Sequence, residues 1–233
     1  MSLFGTDGIR GLANGQVLTA ELALDVAVAA AHILTESFDD KSQRPSAIVG
    51  QDSRASGEFL ESAVVAGLTS AGVDVYRVGV LPTPAISYLV ANTGADLGVM
   101  ISASHNAMPD NGIKLFARGG GKLDDSIEAL VEARIGEPWE RPTGRDVGRA
   151  INDAGAKDKY IEHLLTSLTT RLDGLKIVVD CANGAASFVA PDLLARTGAS
   201  VIAISHTPDG WNINDDCGST YLTNLKAAVV KEG

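Results

Sequence analysis

The chain has 233 residues, 45% of them hydrophobic and 21% charged, which is enough apolar material for a core in one large or two small domains and too much for a disordered segment. Its formal net charge of -10 argues against nucleic acid or an anionic membrane as partner, since both need a basic face, and leaves room for local basic pockets. Cys181 and Cys217 make neither a disulfide framework nor a zinc pattern, and neither a signal peptide nor an apolar span of about 20 residues is visible, so a reducing cytoplasm is the expected location.

Residues 4–11, F-G-T-D-G-I-R-G, set three glycines beside a threonine, an aspartate and an arginine. Such a run either forms a plain terminal loop or lets the backbone approach an anion closely, with Arg10 as a fork of donors. Thr19 is placed to cap a helix over residues 20–38, where Ala, Leu and Val recur at helical spacing. A strand at 47–50 leads into Gln51-Asp52-Ser53-Arg54, the point at which an α/β unit carries its functional loop; Asp52 and Arg54 pair, or Arg54 holds the central loop. A helix over 56–71 stopped by Gly72, a strand over 73–78, and a helix capped by Thr83, begun by Pro84 and closed by Gly94 continue the rhythm.

Residues 95–101 have the apolar, β-branched look of a buried strand, and 112–116 alternate like a second one. Between them lies the densest polar chemistry of the chain, S-A-S-H-N-A-M-P-D-N, on a loop carried by strands, where binding and catalytic groups concentrate. Pro109-Asp110-Asn111-Gly112 is ordinary turn chemistry, and the whole segment also reads as a polar turn. The alternative makes Ser104 a nucleophile or phosphate carrier, with His105 and Lys114 supplying positive charge or proton transfer, because a serine hydroxyl is a poor nucleophile without such help. G-x-S-x-G is missing, which counts against an α/β-hydrolase.

Asp124 or Asp125 caps a helix ending near Ile135-Gly136, and 138–144, with Trp139 and Pro142, is a surface connection. A boundary near Asn152 divides the chain into a domain over 1–151 and a second over 152–233. In the latter, 156–171 is a packing helix with Tyr160, Leu164 and Leu168 four residues apart. A strand at 175–180, the turn Cys181-Ala182-Asn183-Gly184 and a helix to Thr197 resemble a βα unit, without the G-x-G-x-x-G of dinucleotide binding. A strand at 200–205 enters the polar loop 208–220, whose carboxylates miss the EF-hand spacing and whose expected role is interdomain hydrogen bonding. His32 and His163 fall in predicted helices as structural or solvent-facing side chains. The alternation as a whole implies a layered α/β domain with mixed or parallel pairing, covered by helices.

Taken together, F-G-T-D-G-I-R-G, then S-A-S-H-N with D-N-G-I-K, then D-G-x-N-I-N-x-x-C-G-S-T closely resemble, in order and spacing, the α-D-phosphohexomutase superfamily, and within it the bacterial branch acting on glucosamine phosphates. The resemblance runs over the whole chain. It implies a layered α/β/α domain with a mixed sheet, followed by part of a second similar domain. It also implies that Ser104 carries a phosphoryl group, that Arg10 and Lys114 flank it as electrostatic or acid-base groups, and that His105 lies beside it. Phosphoryl transfer needs placement and positive charge around the equatorial oxygens, and a phosphoserine brings about -1.5 to -2 charges of its own, so converging cations suit it.

The reaction so implied converts glucosamine 6-phosphate into glucosamine 1-phosphate through a 1,6-bisphosphate, for cell-wall amino-sugar synthesis, with a hexosamine phosphate as partner and room for a homodimer. The metal implied is Mg²⁺, bound through the phosphoserine at Ser104 and an aspartate-rich D-G-D-x-D-R loop that does not occur up to Gly233. By that comparison the chain is expected to be roughly the first half of a four-domain enzyme, inactive alone. Mutases of mannose or glucose phosphates, or a non-catalytic sugar-phosphate-binding module, are the alternatives. Ala107 stands where the superfamily usually has proline after S-H-N and is expected to loosen the loop.

Overall fold

Six strands form one mixed sheet in the computed structural model, which describes residues 3–36 and 44–233. In chain order the first part runs β1 (Ile9–Leu12), α1 (Ala20–Glu36), β2 (Ser46–Gln51), α2 (Ser56–Ser70), β3 (Asp74–Val80), α3 (Thr83–Thr93), β4 (Leu97–Ile101), β5 (Asp110–Ala117), α4 (Asp125–Ala133) and β6 (Ala150–Asn152). The spatial order is β1-β5-β4-β2-β3-β6. β2 pairs in parallel with both β3 and β4, and β3 with β6, whereas β5 lies antiparallel to both β4 and β1.

The strands alternate between two cores. Ala47 and Val49 of β2, Val99 and Ile101 of β4, and Ile113 and Leu115 of β5 pack with α1, α2 and α4; Ile48, Met100 and Phe116 pack with α3 on the other face. Because helices cover both faces, the inner strands carry apolar side chains at successive positions instead of every second one. The alanines of α1 let it lie close to α2, and Thr19 caps it as the sequence suggests, its Oγ1 accepting the Leu22 N–H at 3.2 Å. The expected end of that helix at Phe38 falls outside the described residues.

After β6 the chain forms α5 (Ala156–Thr166), β7 (Lys176–Asp180), α6 (Ala190–Arg196), β8 (Ser200–Ile204) and α7 (Thr223–Glu232). β7 and β8 make a separate parallel pair. Tyr160 and Ile161 of α5 are buried in the core beneath α3, where Tyr88 also stacks on His163 with ring centroids 3.9 Å apart. Among the described residues no helix is long and apolar enough to cross a membrane.

Several boundaries differ from expectation for physical reasons. α3 starts at Thr83 itself, with the extended Pro82 before it, so Thr83 is not the cap. Asp110 and Asn111 belong to β5 and not to a turn, because β1 pairs with them. α5 stops at Thr166, where the Thr166 and Ser167 hydroxyls donate back to the carbonyls of His163 and Leu164, leaving Leu168 beyond the helix. The helix expected up to Thr197 is split into a 3₁₀ turn at Ala185–Phe188 and α6, because Pro191 fits only a first helical turn.

Candidate active site

The loop after β4 exposes Ser104, and its backbone is held at almost every step. Ser104 is left-handed (φ 55°), a conformation that costs an L-residue about 1–2 kcal/mol and needs support from its surroundings. That support begins one strand away. Arg54, with a fully buried side chain just after β2, pairs through Nε with Asp52 Oδ2 at 3.1 Å. Its remaining donors reach the carbonyls of Ala107 (2.6 Å), Asn106 (2.9 Å) and Ser104 (3.1 Å). Asp52 also accepts from Ser102 Oγ at 2.6 Å, and Ser102 Oγ in turn accepts the Ser104 N–H at 3.0 Å. Both sequence alternatives for Arg54 therefore hold at once: it pairs with Asp52 and it grips the central loop. A buried guanidinium paired with a carboxylate, with an acceptor at each of its three nitrogens, is the arrangement in which such a charge is tolerated.

The Ala107 carbonyl accepts from both Arg54 and the Asp110 N–H, which ties the loop at the residue that lacks a proline's fixed φ. Asn106 Nδ2 donates to Asp110 Oδ2 at 2.9 Å and closes the far side of the loop. The exposed Ser104 Oγ lies 3.3 Å from His105 Nδ1.

Arg10 and Lys114 meet at a residue for which the sequence reading gave no role. Asp7 accepts from Lys114 Nζ and from an Arg10 guanidinium nitrogen, each at 3.2 Å. The hydrogen bond and charge of Lys114, reinforced by Arg10, hold the Asp7 carboxyl below the usual carboxylate range. β-Pairing brings this about: Arg10 lies opposite Gly112, and Ile113 opposite Ile9, so the N-terminal segment runs along β5. Gly8 permits the approach. It has φ 85°, and a Cβ there would sit 2.3 Å from the Ile113 carbonyl oxygen. The structure thus forms two clusters, Ser104 with His105 on the loop after β4, and Arg10 with Lys114 on the paired strands β1 and β5.

The polar loop 208–220 closes over the same region. Gly210 accepts the Ala55 N–H at 2.9 Å, Ser53 Oγ donates to the Asn183 carbonyl at 2.6 Å, and Asn214 Nδ2 donates to the carbonyls of Ser104 (3.0 Å) and Asn106 (2.9 Å). Asp7, Ser102 and Asn214 are the members that sequence reasoning did not single out. The S-A-S spacing was the available signal for Ser102; for Asn214 it was its fixed place in D-G-x-N-I-N, on a loop expected to make interdomain hydrogen bonds. Among the described residues, no group of three or more His, Cys, Asp or Glu is arranged to hold a metal ion.

A family model described as phosphoglucomutase/phosphomannomutase, alpha/beta/alpha domain I, matches residues 1–141. The chain belongs to this family. A phosphoglucosamine mutase of Acidothermus cellulolyticus is 63% identical over 231 residues, covering 99% of this chain and 50% of that protein. The chain therefore spans about half the length of the curated relatives it matches. A putative phosphomannomutase from Thermus thermophilus has the same fold, with a TM-score of 0.80 at 24% identity over 99% of this chain and 51% of that one. An Aspergillus fumigatus N-acetylphosphoglucosamine mutase, solved with GlcNAc-6P and magnesium, is more distant, with a TM-score of 0.50 at 15% identity over 96% of this chain and 44% of that one. The mixed sheet between helix layers, read from the sequence as phosphohexomutase-like, is the fold of this family.

Proposed function

We propose that this chain serves a phosphoglucosamine mutase, which moves a phosphoryl group between the 6- and 1-oxygens of glucosamine phosphate by way of a phosphoserine at Ser104. The observation that carries this reading is the exposed Ser104 hydroxyl on a left-handed backbone fixed by a buried arginine. The high identity to a protein of that name supports the choice of sugar. The phosphorylated serine gives its phosphoryl group to the free sugar hydroxyl: the Ser104 Oγ–P bond breaks as the bond from phosphorus to the sugar oxygen forms, and the proton of the sugar hydroxyl ends on the departing Ser104 Oγ. The bisphosphate so made returns its other phosphoryl group to Ser104, which restores the enzyme and releases the isomeric product.

His105, at 3.3 Å, is the side chain at hand for the Ser104 proton. Arg10 and Lys114 supply positive charge for the transferring group, and Asp7 holds the two together until a more highly charged phosphate competes for them. Magnesium belongs to the reading by family resemblance, with a phosphoserine oxygen at Ser104 as one ligand. The described side chains do not by themselves fit a magnesium site. The division at 151/152 belongs to the same reading; β6, the last strand of the large sheet, runs across it from Ala150 to Asn152, and α5 beyond it still packs beneath α3, so the boundary is not a clean break in the packing. A cytoplasmic setting belongs to the reading too, supported by two buried, unbridged thiols.

The test uses the full-length protein with glucosamine 6-phosphate, Mg²⁺ and a trace of the 1,6-bisphosphate. Peptide mapping is expected to find phosphate on Ser104, Ser104→Ala to abolish turnover, and Arg10→Ala or Lys114→Ala to lower it about a hundredfold. Undiminished turnover in Ser104→Ala would remove the phosphoserine from the reading. Faster turnover of mannose or glucose phosphates would remove the amino sugar.

A further inference from the structure

The carbonyls of Ser104 and Asn106 are each gripped twice. One grip is Arg54, rooted in the large sheet; the other is the amide of Asn214, from the loop that follows β8. Asn214 is itself left-handed (φ 58°), and its own N–H donates to the Ala182 carbonyl at 2.9 Å, so its amide reaches the serine loop from a backbone anchored to the β7–β8 unit. With the Ser104 N–H held by Ser102 and its carbonyl held from two sides, both backbone torsions of Ser104 are fixed, and the hydroxyl keeps only the freedom of χ1.

We infer that Asn214 is a positioning residue for Ser104, through which the loop after β8 sets the direction of the reactive hydroxyl. The inference rests on the mutase reading for its link to turnover, but its structural content does not. The Asn214 amide donates to the carbonyls of the serine loop, so it acts on where the oxygen sits and not on the substrate. Arg54 is built into the core of the first sheet, whereas the Asn214 contact joins two separately hydrogen-bonded sheets. Any displacement of the β7–β8 unit therefore reaches the serine loop through this side chain, and closer docking of the two units makes the loop more rigid. A network of this kind is worth most where both ends are otherwise fixed, and here the cost of misplacement falls on a reacting atom, for which even about 1 Å matters.

The experiment compares wild type with Asn214→Gly and Asn214→Asp in the full-length protein. Glycine keeps the left-handed backbone and removes the amide; aspartate keeps the shape and turns a donor into an acceptor facing two carbonyls. Both variants are expected to lose tenfold or more in kcat with KM within about twofold, at unchanged melting temperature, and to show faster backbone amide exchange in the peptide spanning residues 102–110. A loss confined to KM, or one that merely follows the folded fraction, overturns the inference. So does amide exchange in both variants equal to wild type, whatever the turnover. If wild type itself does not turn over glucosamine 6-phosphate, the mutase reading falls alone, and the exchange comparison still decides the role of Asn214.

Discussion

At the scale of single residues, the strained backbone of Ser104 makes a sharp stability prediction. Ser104→Ala keeps the left-handed strain without the hydroxyl, whereas Ser104→Gly relieves it. In urea denaturation the glycine variant is expected to exceed the alanine variant by roughly 1 kcal/mol, although neither accepts phosphate. Equal midpoints would mean that the loop pays nothing for its conformation. A serine that is only a turn residue has little reason to keep such a φ, while one that must present its oxygen from a fixed point does. The sequence made Ser104, His105, Arg10 and Lys114 legible because their residue types carry chemistry in short motifs. It left Asp7 and Asn214 hidden because their importance lies in which carbonyls and cations they touch across 107 and 110 residues of chain.

At the scale of elements, α4 and α5 carry testable weight. Glu128 on α4 is buried against the N-terminal loop, and that burial pushes its carboxyl above the usual range even though Lys122 lies 3.9 Å away. The folded state thus binds this proton more tightly than the unfolded chain. Its contribution is fully present below the unfolded pKa and is lost as pH rises through the folded one. Glu128→Gln is therefore expected to melt higher than wild type at pH 8, with the gap narrowing towards pH 4; a gap constant across that range would assign the effect to something other than titration. On α5, Tyr160 is 6% exposed and lies against Tyr88 with ring centroids 6.0 Å apart. Tyr160→Ala should cost about 3–5 kcal/mol in chemical denaturation, and Tyr160→Phe far less, because the ring and not the hydroxyl fills the space. The existence of these helices followed from periodicity. The end of α5 did not, since the Thr166 and Ser167 hydroxyls act through local hydrogen bonding that a hydrophobic pattern does not register.

At the scale of the whole molecule, the two thiols report on integrity. Burial pushes Cys181 up to about 11 and raises Cys217 as well, so almost no thiolate is present at neutral pH. Neither should react measurably with Ellman's reagent in the native protein at pH 7.5, and both should react once it is unfolded in guanidinium. Rapid modification of one thiol before global unfolding would show that the β7–β8 unit opens by itself. The pairing of β1 with β5 has a further consequence, for the order of assembly. Ile9 emerges early in synthesis, yet its partner Ile113 emerges about a hundred residues later, some 5–20 s at ordinary elongation rates. Until then the sheet has no edge for β1 to join. The Arg10–Asp7–Lys114 cluster is therefore completed late, so a nascent chain passes through a stage with a core but no cation pair, and a bulky tag fused to the N-terminus would act on that last closure before it acted on the rest of the fold.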